Sequence, residues 1–384
     1  MTEASQRFLR SYFGRYYKDH APALPRRFAR REFGFFHFGG SGMQRPVAFA
    51  TVAEAQAFLA RQVPMHAYYS SAYYQDPSVP MAQKKWMGAD LVFDLDADHV
   101  KGAENMTYAE MLAKVKDEFR KLIDRFLVGQ LGYAADAIGI VFSGGRGYHA
   151  HISDPRIVSL TSTERREIVD LVRGLNLDYN WAMPVAVVRE TEAEGRVHET
   201  LAHRLPGRGS GGWRGLVREA LKLLQGRLAG MSDPDRIKYL RTFGGVGARK
   251  AQELVQELSD PDIRGVVSNA LVSVLQQLCM DEMAGELDEP VTCDVRRLIR
   301  LPGTLHGKTG FVVKRMTRDE LDGFEPLRDG PVAVRDPQAI RCEILKPVNI
   351  QLGGESYSLQ AGPAELPEPD AAFFVGRGEA KAVG

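Results

Sequence analysis

Three clusters of residues in this chain have types and spacings suited to chemistry on phosphate. The first is Asp94 and Asp96, in Leu91-Val-Phe-Asp-Leu-Asp96. In an extended strand residues i and i+2 share a face, so Leu91, Phe93 and Leu95 fall on one side and both carboxylates on the other. Adjacent carboxylates repel unless a cation offsets them. Hard divalent ions with oxygen ligands, Mg²⁺ or Mn²⁺, suit such a pair. Taken alone, the pair equally describes an acidic, solvated strand face.

The second cluster is Ser143-Gly-Gly-Arg146-Gly-Tyr-His149-Ala-His151. Its glycines permit a tight turn whose N–H groups face an anion. Ser143 adds a hydroxyl, and Arg146 a planar fork matched to phosphate oxygens. His149 and His151 share a face of the following strand. A hairpin with a buried His pair is the plain alternative, and a His-x-His metal site lacks an evident third ligand.

The third cluster runs from Leu287-Asp288-Glu-Pro-Val291 through Asp294, Arg296, Arg297 and Arg300 to a Gly-rich loop that presents His306 and Lys308. Its plain alternative is a solvated basic hairpin. Together the three clusters describe metal-assisted phosphoryl or nucleotidyl transfer, with carboxylates for the ion and Ser, Arg, His and Lys for a polyphosphate. No GxxxxGK[ST] segment occurs, which disfavours a P-loop motor.

The elements that must carry these residues are legible in outline. Residues 91–96, 137–142 and 148–152 read as strands, the last two joined by the glycine turn. Residues 50–62 and 107–128 read as amphipathic helices, the second through Leu112, Val115, Phe119, Leu122, Ile123 and Phe126. From about 160 to 285 the pattern is mostly helical, opening on a Thr161–Glu164 capping box, with helices expected at 214–229, 233–242, 248–258 and 262–284. Strand character returns over 298–316, as though one sheet were completed across the insertion. Residues 353–384 are Gly/Pro-rich and acidic and read as a loosely held tail.

Composition sets the outer bounds. The chain has 384 residues, 50 Lys+Arg against 49 Asp+Glu, and three Cys. Its length fits two or three structural units. A formal charge of +1 forces no nucleic-acid or membrane partner, although a local basic cleft can be offset elsewhere. Cys279, Cys293 and Cys342 are too few and too scattered for a disulfide framework or a CxxC zinc site. No apolar run spans a bilayer, and the N-terminus lacks the apolar core of a signal peptide, so a cytoplasmic protein is expected. Residues 1–40 carry eight Lys/Arg and ten aromatics. An amphipathic helix with buried rings explains most of them better than a base-stacking groove does.

FDLDAD, SGGRGYHAH and RLIRLPGTLHGKTG, in this order and spacing, resemble the small catalytic subunit of the archaeal/eukaryotic-type DNA primase, the archaeal form more closely. REFGF (Arg31 to Phe35) resembles a segment near that family's N-terminus. The resemblance covers roughly residues 5–350. It implies an α/β (α+β mixed) fold: a primase catalytic core with an RNA-recognition-like part, at 1–159 and 286–352, and an inserted helical subdomain at 160–285. It implies that Asp94, Asp96 and Asp288 are catalytic carboxylates holding two Mg²⁺ or Mn²⁺ ions. The Leu-Asp-x-x-Val context carries the third role to Asp288 and not Asp294. It further implies nucleotide contacts by Ser143, Arg146 and His149, with His306, Lys308 and Arg300 as additional ones.

The implied activity is a DNA-directed RNA polymerase that makes short replication primers and also extends DNA strands. Its implied partners are a primase large subunit in a heterodimer, a single-stranded DNA template and nucleoside triphosphates. One departure stands out. Many members carry a zinc knuckle between the first two motifs, whereas residues 97–142 here contain only His99 and no Cys, so no zinc is expected. A repair polymerase of the same superfamily and a catalytically silent nucleic-acid-binding module are the rival readings. Finally, Gly244-Gly-Val-Gly-Ala-Arg-Lys250 looks like the turn of a helix-hairpin-helix module, and a plain helix C-cap explains it as well.

Overall fold

The computed structural model describes residues 1–193, 196–332, 334 and 337–383. They fall into two compact units: Met1–Ile123 with Tyr133–Val169 and Glu286–Gly384, and Asp124–Gly132 with Asp170–Gly285.

Alternation builds the first unit's central sheet. Strand Leu91–Asp96 buries Leu91, Phe93 and Leu95 completely. It pairs antiparallel with Gly147–Ile152, which pairs with Ile138–Phe142, and Lys314–Met316 completes the order. Helix Tyr108–Lys121 starts at a capping box in which Thr107 and Glu110 satisfy each other's backbone N–H groups, and it covers the sheet with Leu112, Val115 and Phe119. Phe119 stacks on Tyr148 at 5.2 Å between ring centroids. Beyond Lys121 the helix widens into a π-helical stretch, Leu122–Val128.

A second four-stranded sheet has the order Leu298–Arg300, Pro64–Ser70, Phe33–His37, Met43–Val47, all antiparallel. The region 298–316 therefore does not return to one sheet. Its first strand joins Pro64–Ser70, and only Lys314–Met316 reaches the carboxylate sheet. Arg31, fully buried, bridges the neighbourhood: it donates to the Ser70 and Ser71 carbonyls (2.8 and 2.9 Å), to the Tyr73 hydroxyl (2.8 Å) and to Asp90. In helix Glu3–Asp19 the residues Leu9, Tyr12, Phe13, Tyr16 and Tyr17 are core, as their helical spacing suggested.

The stretch after 353 is not a loose tail. Ala339–Ile344 pairs with both Gly362–Pro367 and Ala380–Ala382, and helix Glu368–Gly376 buries Ala371, Ala372, Phe373 and Phe374 completely. Average composition concealed this apolar run. Burying each Phe contributes on the order of 1.5–3 kcal/mol, enough to hold a short helix down.

The second unit contains helices Gly212–Leu228, Asp233–Leu240, Ala248–Glu257 and Asn269–Leu278. It also holds an unforeseen antiparallel hairpin, Val185–Ala193 with Arg196–Arg204, extended by Val266–Val267. The helical character of its flanks masked it. In the 244–250 turn the Gly244 N–H donates to Gln277 Oε1 (2.8 Å), and its carbonyl accepts from Gln277 Nε2 (3.1 Å). Gly244 is thus held by a helix of its own unit, and Gly247 is the N-cap of Ala248–Glu257. Among the described residues no helix is long and apolar enough to cross a membrane.

Candidate active site

Asp94 and Asp96 leave the carboxylate strand on the face opposite its buried Leu and Phe side chains and open into a cleft of about 1180 Å³ in the first unit. The nine residues given catalytic or nucleotide-binding roles from sequence line that cleft, namely Asp94, Asp96, Ser143, Arg146, His149, Asp288, Arg300, His306 and Lys308, whereas His151, Asp294 and Arg296 do not.

The neighbouring strand supplies the second cluster through its register, Asp94 opposite His149 and Asp96 opposite Gly147. His149 Nε2 lies 3.3 Å from Asp94 Oδ1. Burial holds His149 neutral, with His151 and Arg300 acting the same way. In the turn, Ser143 Oγ accepts the N–H groups of Gly145 and Gly147, both at 3.2 Å. Gly144 has φ +77°, and a Cβ there would meet His306 Cβ at 2.7 Å. Glycine is thus required by both backbone and packing. Arg146 Nη2 donates to Asp96 Oδ1 (2.9 Å) and Asp98 Oδ2 (2.5 Å).

Asp288 arrives from a distant part of the sequence. It sits at the start of the short helix Glu289–Cys293, and its N–H donates to the Asp94 carbonyl at 2.8 Å. His99 Nε2 is 3.6 Å from Asp288 Oδ2. Asp294, at the other end of that helix, is exposed, and its carboxylate accepts the Arg296 N–H at 2.8 Å. It does not line the cleft.

The 301–310 loop folds back so that Thr309 Oγ1 donates to the Gly144 carbonyl at 2.5 Å. This bond fixes the third cluster against the second. The Lys308 N–H points at His306 Nδ1 (3.4 Å), and burial, then Arg300, His66 and Lys308, keep the ring neutral.

Three participants escaped the sequence analysis. His66 Nδ1 accepts from Arg300 Nη1 (2.8 Å) and from the Gly307 N–H (3.2 Å). Burial, then Arg300 and Lys308, push the His66 pKa down to about 3. Tyr68 receives Arg300 over its ring at 5.0 Å, and Tyr108 donates its hydroxyl to the Gly145 carbonyl at 2.9 Å. The alternation in Pro64–Ser70 was the available signal for His66 and Tyr68, because both fall on one strand face.

Burial first, then the charges of Asp96 and Asp288, push the Asp94 pKa up to about 7. Three carboxylates facing one cleft at that mutual cost form a hard-oxygen donor set suited to divalent cations. Among the described residues no three such side chains are already closed into a coordination shell. Each carboxylate instead leans on its own basic neighbour: Asp94 on His149, Asp96 on Arg146, Asp288 on His99.

A family profile described as DNA primase small subunit matches residues 93–318. Among curated proteins, the DNA primase small subunit PriS of Methanocella arvoryzae is 37% identical over 99% of each chain. Those of Methanococcoides burtonii and Haloarcula marismortui are 36% and 35% identical, covering 97% and 99% of each chain. A solved polymerase domain from Mycobacterium tuberculosis ligase D in complex with DNA is 18% identical over 74% of this chain and 93% of that one. Its TM-score is 0.29, a superposition too slight to bear on fold or function.

Proposed function

This chain belongs to the DNA primase small-subunit family and is a catalytic primase subunit, a nucleotidyltransferase that makes RNA primers, and on that premise we propose how its cleft does so. The observation that carries the reading is the convergence of Asp94, Asp96 and Asp288 with Ser143, Arg146, His149, Arg300, His306 and Lys308 on one cleft.

Asp94, Asp96 and Asp288 would hold two divalent ions, Mg²⁺ or Mn²⁺; no zinc is assigned to this chain. Bound there, such ions make a 3′-hydroxyl more acidic and offset charge developing at the α-phosphate. The protein's own part is positioning and charge. Ser143 stiffens the glycine turn, whose backbone faces the phosphates. Arg146, held by Asp96 and Asp98 here, would turn to the triphosphate if cations took over those carboxylates. Neutral His149 and His306 offer ring N–H donors without adding charge, while Lys308 and Arg300 supply it. His66 and Tyr68 hold Arg300 in place, so its orientation costs little at the moment of reaction.

The substrates proposed are nucleoside triphosphates and a single-stranded DNA template, with extension of DNA strands as a further activity. A primase large subunit is the proposed partner in a heterodimer, and the isolated chain is expected to extend better than it initiates. Neither rival is favoured, because curated relatives spanning nearly the whole chain are primase small subunits. The test is nucleotide incorporation on unprimed and primed single strands, with Mg²⁺ or Mn²⁺ and with chelator. Incorporation that survives chelation, or that Asp96→Ala leaves near normal, would overturn the metal assignment.

A further inference from the structure

The C-terminal wall of the cleft carries cations that the triphosphate assignment above does not use, foremost Arg377. Packing against both phosphate-facing loops sets its position. Gly376 lies so close to the 301–310 loop that a Cβ there would meet the Lys308 carbonyl oxygen at 2.8 Å and the Thr309 nitrogen at 3.4 Å. Phe373, one helical turn earlier, stacks on Phe311 at 5.1 Å between centroids. Arg377 therefore follows directly on backbone packed against that of Lys308, and both residues line the cleft. Its guanidinium lies over the Tyr108 ring, 4.0 Å from the centroid, and Tyr108 is hydrogen-bonded to Gly145 inside the glycine turn.

Buried Glu379 fixes the plane of the fork by accepting from Nε and Nη2 at 3.2 and 3.0 Å. The Arg377 side chain nevertheless keeps 24% exposure at the cleft. A guanidinium stacked on a ring and oriented by one carboxylate is pre-organised, so it loses little freedom when a phosphate arrives, and its charge persists at any working pH. Tyr108 thus links the Arg377 guanidinium of the C-terminal wall to the glycine turn that carries Arg146.

We propose that Arg377 is a further phosphate-binding residue of the cleft, contacting the terminal phosphate of the incoming nucleoside triphosphate next to Lys308. The inference rests on the triphosphate placement argued above. A phosphodiester of a bound strand offers the same chemistry, and the experiment separates the two.

The full-length chain is assayed on annealed primer–template with wild type, Arg377→Ala, Arg377→Lys and Lys308→Ala. Arg377→Ala is expected to raise the nucleotide KM roughly ten- to a hundredfold, as loss of one charge-assisted contact does, with kcat little changed and partial rescue in Arg377→Lys. Inhibition by inorganic tripolyphosphate should weaken in parallel, while the primer–template Kd, read by fluorescence anisotropy, stays put. An unchanged KM and tripolyphosphate inhibition with weakened DNA binding moves Arg377 to the strand and overturns the proposal. Loss of kcat at constant KM makes Arg377 a mere support and overturns it too. If Lys308→Ala raises KM and Arg377→Ala does not, this inference alone fails; if neither does, the underlying triphosphate placement fails.

Discussion

Arg146 donates from Nη2 to Asp96 Oδ1 at 2.9 Å, joining a side chain assigned to the triphosphate with one assigned to the metal. With Asp98 on the same nitrogen, the guanidinium acts as a built-in counter-ion for carboxylates that would otherwise face one another. On the proposed assignment, metal and nucleotide binding would be coupled through it: a cation on Asp96 would free Arg146, and a triphosphate that captures Arg146 would free Asp96.

Removing Arg146 should act in two opposite directions. Arg146→Ala is expected to raise the nucleotide KM roughly ten- to a hundredfold. Without nucleotide, the same variant should bind Mn²⁺ more tightly, because a competing cation has left Asp96. Paramagnetic resonance of free Mn²⁺ reads the second effect directly. Weaker Mn²⁺ binding in the variant would contradict the counter-ion role.

Asp288→Asn should abolish incorporation as completely as Asp96→Ala, while Asp294→Asn should remain active. The backbone bond from Asp288 to Asp94 holds the first in the cleft, whereas the Asp294 carboxylate only accepts the Arg296 N–H. Asp94→Ala combined with Asp96→Ala should be no worse than either alone, because one loss already dismantles the site. Incorporation rates with circular dichroism as a folding control decide both points, and an inactive, folded Asp294→Asn would reverse the assignment.

His66 gives the fold a defined acid sensitivity. Its pKa falls from 6.5 to about 3, so the unfolded chain binds a proton there over a range in which the folded chain does not. The stability this contributes is full above pH 6.5 and is lost as pH falls through that window toward about 3. His66→Asn, which keeps an acceptor for Arg300 and Gly307, should lower the pH slope of unfolding free energy by about one proton between these limits. Urea titrations at several pH values measure it; an unchanged slope would mean the imidazole protonates freely in the folded chain.

The buried Arg31–Asp90 pair lies outside the lining of the cleft, so its loss should appear first as lost stability. Asp90→Ala leaves a fully buried guanidinium with its carboxylate gone, at an expected cost of about 3–5 kcal/mol in denaturant unfolding. Because the same guanidinium also holds the Ser70 and Ser71 carbonyls, at the end of the strand that bears His66, nucleotide KM should rise only as unfolding sets in. A KM effect in fully folded protein would place the pair in the machinery of the site.

Residues only a few positions apart were enough to set whatever depends on close chain neighbours. Alternation in Leu91–Asp96 put both carboxylates on one face, the glycines at 144, 145 and 147 specified a turn, and the Thr161–Glu164 box set a helix start. Motif context also carried the third carboxylate role to Asp288 over Asp294. The tertiary structure decided which groups meet. It placed Asp288 on the Asp94 backbone, sent Leu298–Arg300 to a different sheet from Lys314–Met316, and set His66 beneath Arg300. It also turned an acidic, Gly/Pro-rich end into a wall of the cleft that carries Arg377. The hairpin at 185–204 went unread for a local reason instead, because the helical character of its flanks masked its alternation. Periodicity reports which way a side chain leaves its own strand or helix, since bond geometry fixes that direction. The partner it meets depends on how apolar faces far apart in the chain bury one another, and no local pattern encodes that.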